Sequence, residues 1–274
     1  MTTTDIQKLR EQTGVGMMDA KRALEATHGD MAAAVEYLRK AGQKIAASKS
    51  TRKAKEGGIG VWVSSDQKRG TVVALACETD FVALTPEFQS IAEQLANHFG
   101  SLNKDALTAE QFLTQPGPDG STTVQQFLDG VIATLGENMQ IPAIAALSTP
   151  TGTIDSYLHA NRKVAALVAI QGGTTAVRHD LAMHVAALNP RFLAPGNVPA
   201  DLVAQEQSIY REQLIREGKP EAMLEKILPG KLKKFYSDTC LLNQPFIKDD
   251  SNSVASYLQQ SGGATITDYV RIAI

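Results

Sequence analysis

At Gly57 the apolar period of this chain changes, and that change limits the folds open to it. Before it, apolar residues recur at helical spacing: Ile6 with Leu9, Met17 with Ala20 and Leu24, Met31 with Val35 and Leu38. After it come two β-rich runs, I-G-V-W-V and T-V-V-A-L-A, separated by the turn S-S-D-Q-K-R-G. A helix-period stretch does not settle as a strand, nor the reverse, so a helical piece must precede a sheet-bearing one. The second pattern then recurs. Helical stripes at Phe88, Ile91, Leu95 and at Phe127, Val131, Leu135 are followed by three further strand-like runs, I-P-A-I-A-A-L-S, T-I-D-S-Y-L-H and V-A-A-L-V-A-I. A helix of Leu181, His184, Val185 and Leu188 comes next. Sheet plus helices, twice over, predicts two related α+β subdomains.

Breakers place the boundaries. Gly14-Val15-Gly16, Gly29-Asp30 and Gly42 are read as ends of three short helices. Residues 43–56 are read as a basic linker, helical at most in part, and residues 100–123 as loop around Gln115-Pro116-Gly117-Pro118-Asp119-Gly120. Leu202 and Ile209 stripe one helical arm, Gly218-Lys219-Pro220 turns the chain, and Leu224, Leu228, Leu232 and Phe235 stripe a second, with Pro229 expected to kink it. A helix near 253–261 and a last strand at T-D-Y-V-R-I-A-I complete the pattern. The expected division is a three-helix module at 1–42, the linker at 43–56, a core subdomain at 57–139, a second at 140–198 and 237–274, and an antiparallel helical hairpin inserted at 199–236.

Charge is uneven: residues 1–55 carry 11 Lys and Arg against 6 acids, while the whole chain is −2. A basic N-terminal piece can meet nucleic acid or an acidic protein, and a solvated helical face explains it equally well. Two cysteines make no disulfide framework and imply a reducing compartment. No apolar run reaches the ~18 residues a membrane helix needs, and the N-terminus has no signal or transit pattern, so the cytoplasm is the expected location.

Searches for bond-making chemistry come back empty. Neither E-G-G-I-G nor Q-G-G-T-T is a phosphate cradle or dinucleotide fingerprint. His179 and His184 are five apart without an intervening metalloprotease Glu, and are read as a surface and a half-buried histidine. Glu78 and Asp80 should raise the Cys77 thiol pKa, the wrong direction for a nucleophile. No cofactor or metal is expected. The stretch C-E-T-D-F-V-A-L at 77–84 is the odd feature. On residue type alone it reads as a capped strand end whose Phe81 folds back into the core. Three classes stay open: a protein–protein factor, an enzyme using Cys77, Glu78 and Asp80, and an RNA- or ribosome-associated protein using the basic stretch 44–55.

Five stretches in order resemble one family. They are L-R-E-Q-T-G-V-G-M-M-D-A-K-R-A-L (9–24), G-D-M-A-A-A-V-E-Y-L-R-K-A-G (29–42), E-T-D-F-V-A (78–83), L-A-M-H-V-A-A-L-N-P (181–190) and K-K-F-Y-S-D-T-C-L-L-N-Q-P-F-I-K-D (233–249). Together they resemble the bacterial elongation factor Ts family, guanine-nucleotide exchange factors for the translational GTPase EF-Tu. The resemblance implies a ubiquitin-associated-like module, two core subdomains and a coiled-coil hairpin. It implies a protein with no catalytic residues of its own and no direct nucleotide binding. It also reverses the reading of Phe81: Asp80 and Phe81, with Thr79 and Val82, become a wedge between two helices of the EF-Tu G domain, near its Mg²⁺ and phosphates. Arg10, Met17, Met18 and Lys21 match positions of the module that pack on that domain; two adjacent Met cannot both point inward. Leu135 and Gly136 match a helix end that backs the wedge, His159 a further contact, and Ile247 a contact to a second EF-Tu domain. Assembly is open between a 1:1 complex and a homodimer or 2:2 complex. Three departures from the family pattern are expected to matter: Ala160-Asn161 where relatives have glycines, Pro229 in the hairpin, and an end at Ile274 without a further helical arm.

Overall fold

The computed structural model describes residues 2–274, which cluster into two compact units. The first unit comprises the chain up to Ser148 with Leu158–Ala165 and Ile272–Ile274; the second comprises Thr149–Tyr157 and Ala166–Arg271.

The first unit opens with α1 (Thr3–Thr13), α2 (Met17–Ala26) and α3 (Met31–Lys49). Thr2 and Asp5 form a capping box on α1, Gly14 closes it in the left-handed conformation, and the Asp30 side chain caps α3. Ile6, Leu9, Ala20, Ala23, Leu24 and Ala34 fill a small core between the three helices. Gly42 does not end α3, contrary to the sequence expectation, and the helix runs on into the segment read as linker. The reason lies outside α3. Gly42 is buried, and a Cβ there would meet the Asp129 carbonyl and Ala133 of the later helix Val124–Leu135 at 3.5 and 3.6 Å, so that helix packs over this position. Tertiary packing of this face outweighs the ~1 kcal/mol that a helical glycine costs.

Strands β1 (Glu56–Val63) and β2 (Arg69–Cys77) form the expected antiparallel hairpin, with Gly60 opposite Val73. Next come α4 (Asp80–Ala83), α5 (Pro86–Ser101), α6 (Ala109–Leu113) and α7 (Val124–Leu135), then β3 (Gln140–Ser148). The segment read as loop thus contains a helix, α6, which a capping box of Thr108 and Gln111 starts and the buried Phe112 anchors. The sheet order is β1-β2-β3, so β3 completes the first sheet and the division expected at 140 falls after Ser148. Periodicity reveals that a strand exists, but its partner is chosen by packing. Val73, Leu75, Phe88, Leu95, Phe99, Leu128 and Ile132 form the main core.

The second unit carries most of β4 (Thr153–Leu158), β5 (Val164–Gln171) and β8 (Thr265–Ala273), whose ends at Leu158, Val164–Ala165 and Ile272–Ala273 fall in the first, together with α8 (Thr175–Leu188), α9 (Ala200–Arg216), α10 (Glu221–Thr239), β6 (Pro245–Phe246), β7 (Asp249–Ser253) and α11 (Val254–Gln260). Its sheet runs β4-β5-β8, and central β5 is buried from Ala165 to Ile170. Helices α9 and α10 form the hairpin; Leu214 and Leu224 are buried near its tip, and Val198, Phe235 and Cys240 pack at its root. The second arm extends three residues beyond the expected 236 and stays helical through Pro229. Among the described residues no helix is long and apolar enough to cross a membrane.

Candidate functional site

Strand β2 ends at Cys77, whose thiol donates to the Thr79 carbonyl at 3.1 Å. Burial, with the Glu137 carboxylate adding to it, pushes this thiol up to about 11. The Cys77 side chain is the buried end of the strand. The chain then turns sharply into α4, a single helical turn. Thr79 is its N-cap, the hydroxyl accepting from the Val82 N–H at 3.4 Å, and Asp80 lies in the first turn, where a negative charge suits the helix dipole. Thr85 caps the next helix immediately, accepting from the Phe88 N–H at 3.2 Å. Both ends of α4 are therefore fixed.

Phe81 does not fold back. It is 82% exposed, and Leu84, three residues on, is 68% exposed. Val82 and Ala83 turn inward onto the core instead. One short helix thus separates a packed side from an offered apolar pair, and that pair is costly to leave in water without a partner.

A carboxylate from the end of another helix holds this turn in place. Helix α7 closes at Gly136, left-handed at φ +80°, whose N–H donates to the Ile132 carbonyl at 3.0 Å. Glu137 follows. Its Oε2 accepts the N–H groups of Glu78 at 3.1 Å and Thr79 at 3.0 Å, and its Oε1 accepts the Thr79 hydroxyl at 2.5 Å. The Glu78 carboxylate accepts in return from the Asn138 N–H at 2.6 Å and pairs with Arg52 at 3.5 Å. Lys49, at the end of α3, donates to the Gly136 carbonyl, and the Asn138 amide donates to the Arg52 carbonyl at 2.7 Å. Part of the basic stretch 44–55 therefore braces this turn.

The turn after β4 lies in the same unit. Arg162 N–H donates to the His159 carbonyl at 2.7 Å and Ile59 N–H to the Arg162 carbonyl at 2.8 Å, so Ala160 and Asn161 sit in a closed turn. Arg162 adopts φ +56°, a conformation a glycine would take without strain. Lys163 pairs with Glu56 at 2.5 Å; that bond chiefly raises the lysine pKa, and Asp80 adds to the effect.

Thr79, Asp80, Phe81, Val82, Leu135 and Gly136 are thus brought together, with Leu135 half-buried against the core. Arg10, Met17, Met18 and Lys21 stand apart on α1 and α2. Met17 and Met18 are both exposed, at 49% and 63%, and Lys21 pairs with Glu25 at 3.7 Å. His159 is exposed on its turn. Ile247 lies in the second unit and is 41% exposed. Sequence reading missed Leu84 and Glu137. An i, i+3 spacing from Phe81 was available for the first, but nothing in the residues around Glu137 points to a partner about sixty positions away. The expectation of a half-buried His184 also fails, since it is fully buried.

A family model described as elongation factor TS matches residues 78–274. The chain belongs to the elongation factor Ts family. The elongation factor Ts of Amoebophilus asiaticus is 42% identical over 279 aligned positions, covering 100% of this chain and 99% of that protein. That of Trichlorobacter lovleyi is 40% identical, covering 97% and 89%, and that of Halothermothrix orenii is 37% identical, covering 94% and 87%. Membership makes this protein a translation elongation factor acting in protein biosynthesis.

Proposed function

We propose that this protein is the guanine-nucleotide exchange factor of EF-Tu, binding that GTPase and promoting release of GDP and Mg²⁺ during polypeptide elongation in the cytoplasm. The observation that carries the proposal is Phe81: a large apolar side chain, 82% exposed, on a turn held to Glu137 by two backbone N–H groups and the Thr79 hydroxyl. An aromatic presented rigidly loses little entropy on docking and has the character of an interface anchor. Asp80 beside it supplies an acid that competes for polar groups serving the nucleotide and its metal, and a lost metal contact removes the largest charge holding the phosphates.

The remaining contacts follow the same reading. Arg10, Met17, Met18 and Lys21 present the ubiquitin-associated-like module to the G domain, Leu135 and Gly136 back the wedge, His159 adds a contact, and Ile247 reaches a second EF-Tu domain. The two sheet-bearing pieces are the related core subdomains and α9–α10 the coiled-coil hairpin. Exchange needs no bond-making residue. A factor that binds empty GTPase better than loaded GTPase weakens nucleotide binding by the same ratio, and a coupling of about 3 kcal/mol changes affinity on the order of 100-fold. Catalytic amounts of the protein should accelerate release of labelled GDP from EF-Tu, and Asp80→Ala with Phe81→Ala should remove most of that acceleration while leaving the melting temperature unchanged. Wild-type protein without effect on GDP release would refute the proposal.

A further inference from the structure

Among the described residues His184 is the one histidine buried completely, and a buried imidazole is costly unless both nitrogens find partners. Both do. The Ile247 N–H donates to Nδ1 at 3.2 Å, so Nδ1 carries no proton, and the neutral ring holds its hydrogen on Nε2. Nε2 lies 3.0 Å from Gln244 Oε1 and donates to it. That orients the Gln244 amide, whose NH₂ donates to the Asp238 carbonyl at 3.2 Å and the Leu188 carbonyl at 3.4 Å. Those carbonyls belong to the last turns of α10 and α8, where helices lack internal donors. A single polar chain therefore links the end of α8, the root of the helical hairpin and the backbone at Ile247.

The rest of the turn is equally restrained. Phe246 stacks with the rings of both His184, at 5.9 Å and 20°, and Tyr257, at 3.9 Å and 12°. Lys248 donates to Asp180 at 2.6 Å, and the Tyr257 hydroxyl donates to the other oxygen of that carboxylate at 3.2 Å. From Gln244 to Lys248 the Ile247 side chain stands out: its backbone is tied down and its apolar end is exposed. An apolar residue at 184 would pack as well, but it could not accept from Ile247 and donate to Gln244 together.

We propose that His184 is a positioning residue, its Nε2-protonated imidazole fixing the turn that presents Ile247 and joining that turn, through Gln244, to the hairpin root. The proposal rests on the reading of Ile247 as a partner contact. Two substitutions divide its two halves. In His184→Asn the side-chain oxygen can stand near the Nδ1 place and still accept the Ile247 N–H. In His184→Gln the amide nitrogen can reach the Nε2 place and still donate to Gln244.

The experiment measures, in the full chain, hydrogen exchange at the Ile247 amide, GDP release from EF-Tu, and melting. His184→Gln should lower Ile247 amide protection by about tenfold or more, the scale of one lost hydrogen bond. It should also reduce exchange activity as far as Ile247→Ala does. His184→Asn should preserve both, although the two variants melt alike. Equal Ile247 protection in both variants, or losses that simply follow melting temperature, would overturn the proposal. Should neither variant fold, the imidazole nitrogen NMR shifts of the parent decide: protonated Nε2 supports it and protonated Nδ1 overturns it. If Ile247→Ala leaves GDP release unchanged while the amide protections divide as expected, the partner contact is wrong and the positioning role stands.

Discussion

Replacing Glu137 by Gln would remove one charge and almost no volume from the clamp on α4. In the parent, three donors converge on two carboxylate oxygens. Gln retains one oxygen, which can still accept from the N–H groups of Glu78 and Thr79; the Thr79 hydroxyl must rotate to accept from the new NH₂. What is lost is charge assistance. Bonds to ionised groups contribute about 1.5–3 kcal/mol and neutral ones about 0.5–1.5, so weakening two of them costs about 2 kcal/mol before solvent is counted. Because these groups are only partly buried, water replaces some of the loss, and about 1–2 kcal/mol is expected. A four-residue helix has almost no stability of its own, so the loss should appear as local opening of α4 rather than as global unfolding. At about 1.4 kcal/mol per decade, exchange efficiency should fall on the order of tenfold. The assay is stopped-flow release of labelled GDP from EF-Tu, run beside thermal melting and hydrogen exchange of residues 80–84. Parent-like exchange with parent-like protection of α4 in the Gln variant would show that Glu137 does not hold the wedge.

Three further outcomes follow from the packing. Gly60→Ala should cost roughly 3 kcal/mol or more, because the new methyl would overlap the backbone carbonyl of Ala92, which no side-chain rotation can relieve; a variant melting like the parent would contradict this. Native Cys77 should react with a thiol reagent about 100-fold more slowly than the unfolded chain near pH 8, since burial first and Glu137 second raise its pKa to about 11; mass spectrometry of the Cys77 peptide measures it, and equal rates would refute it. Burial holds the His184 pKa below its ordinary value, with Gln244 opposing the shift. The unfolded chain then binds the proton more readily, so this contribution to stability is complete above the unfolded pKa of about 6.5 and declines as pH falls towards the lower folded value. An acid limb of the melting profile that is identical in His184→Asn would remove His184 as its source.

Repeating patterns along the chain make most of the elements legible in the sequence itself: three N-terminal helices, a hairpin after Gly57, the helix ending at Gly136 and the paired arms around Gly218. Each rests on local physics, such as side-chain period, caps and turn residues, which a linear string carries completely. The exchange-factor reading of residues 77–84 rests on family resemblance, because local rules alone point Phe81 inward. Packing settled what those rules leave undecided. Gly42 reads as a helix stop until α7 lies against it, and β3 reads as the start of a second sheet until β2 takes it as a partner. Phe81 is exposed because Val82 and Ala83 take the inward face of the same turn. That turn keeps its orientation through a carboxylate 58 residues from Thr79. Contacts of that range are absent from local periodicity: they arise when distant backbone donors need an acceptor, and only the folded chain brings one to them.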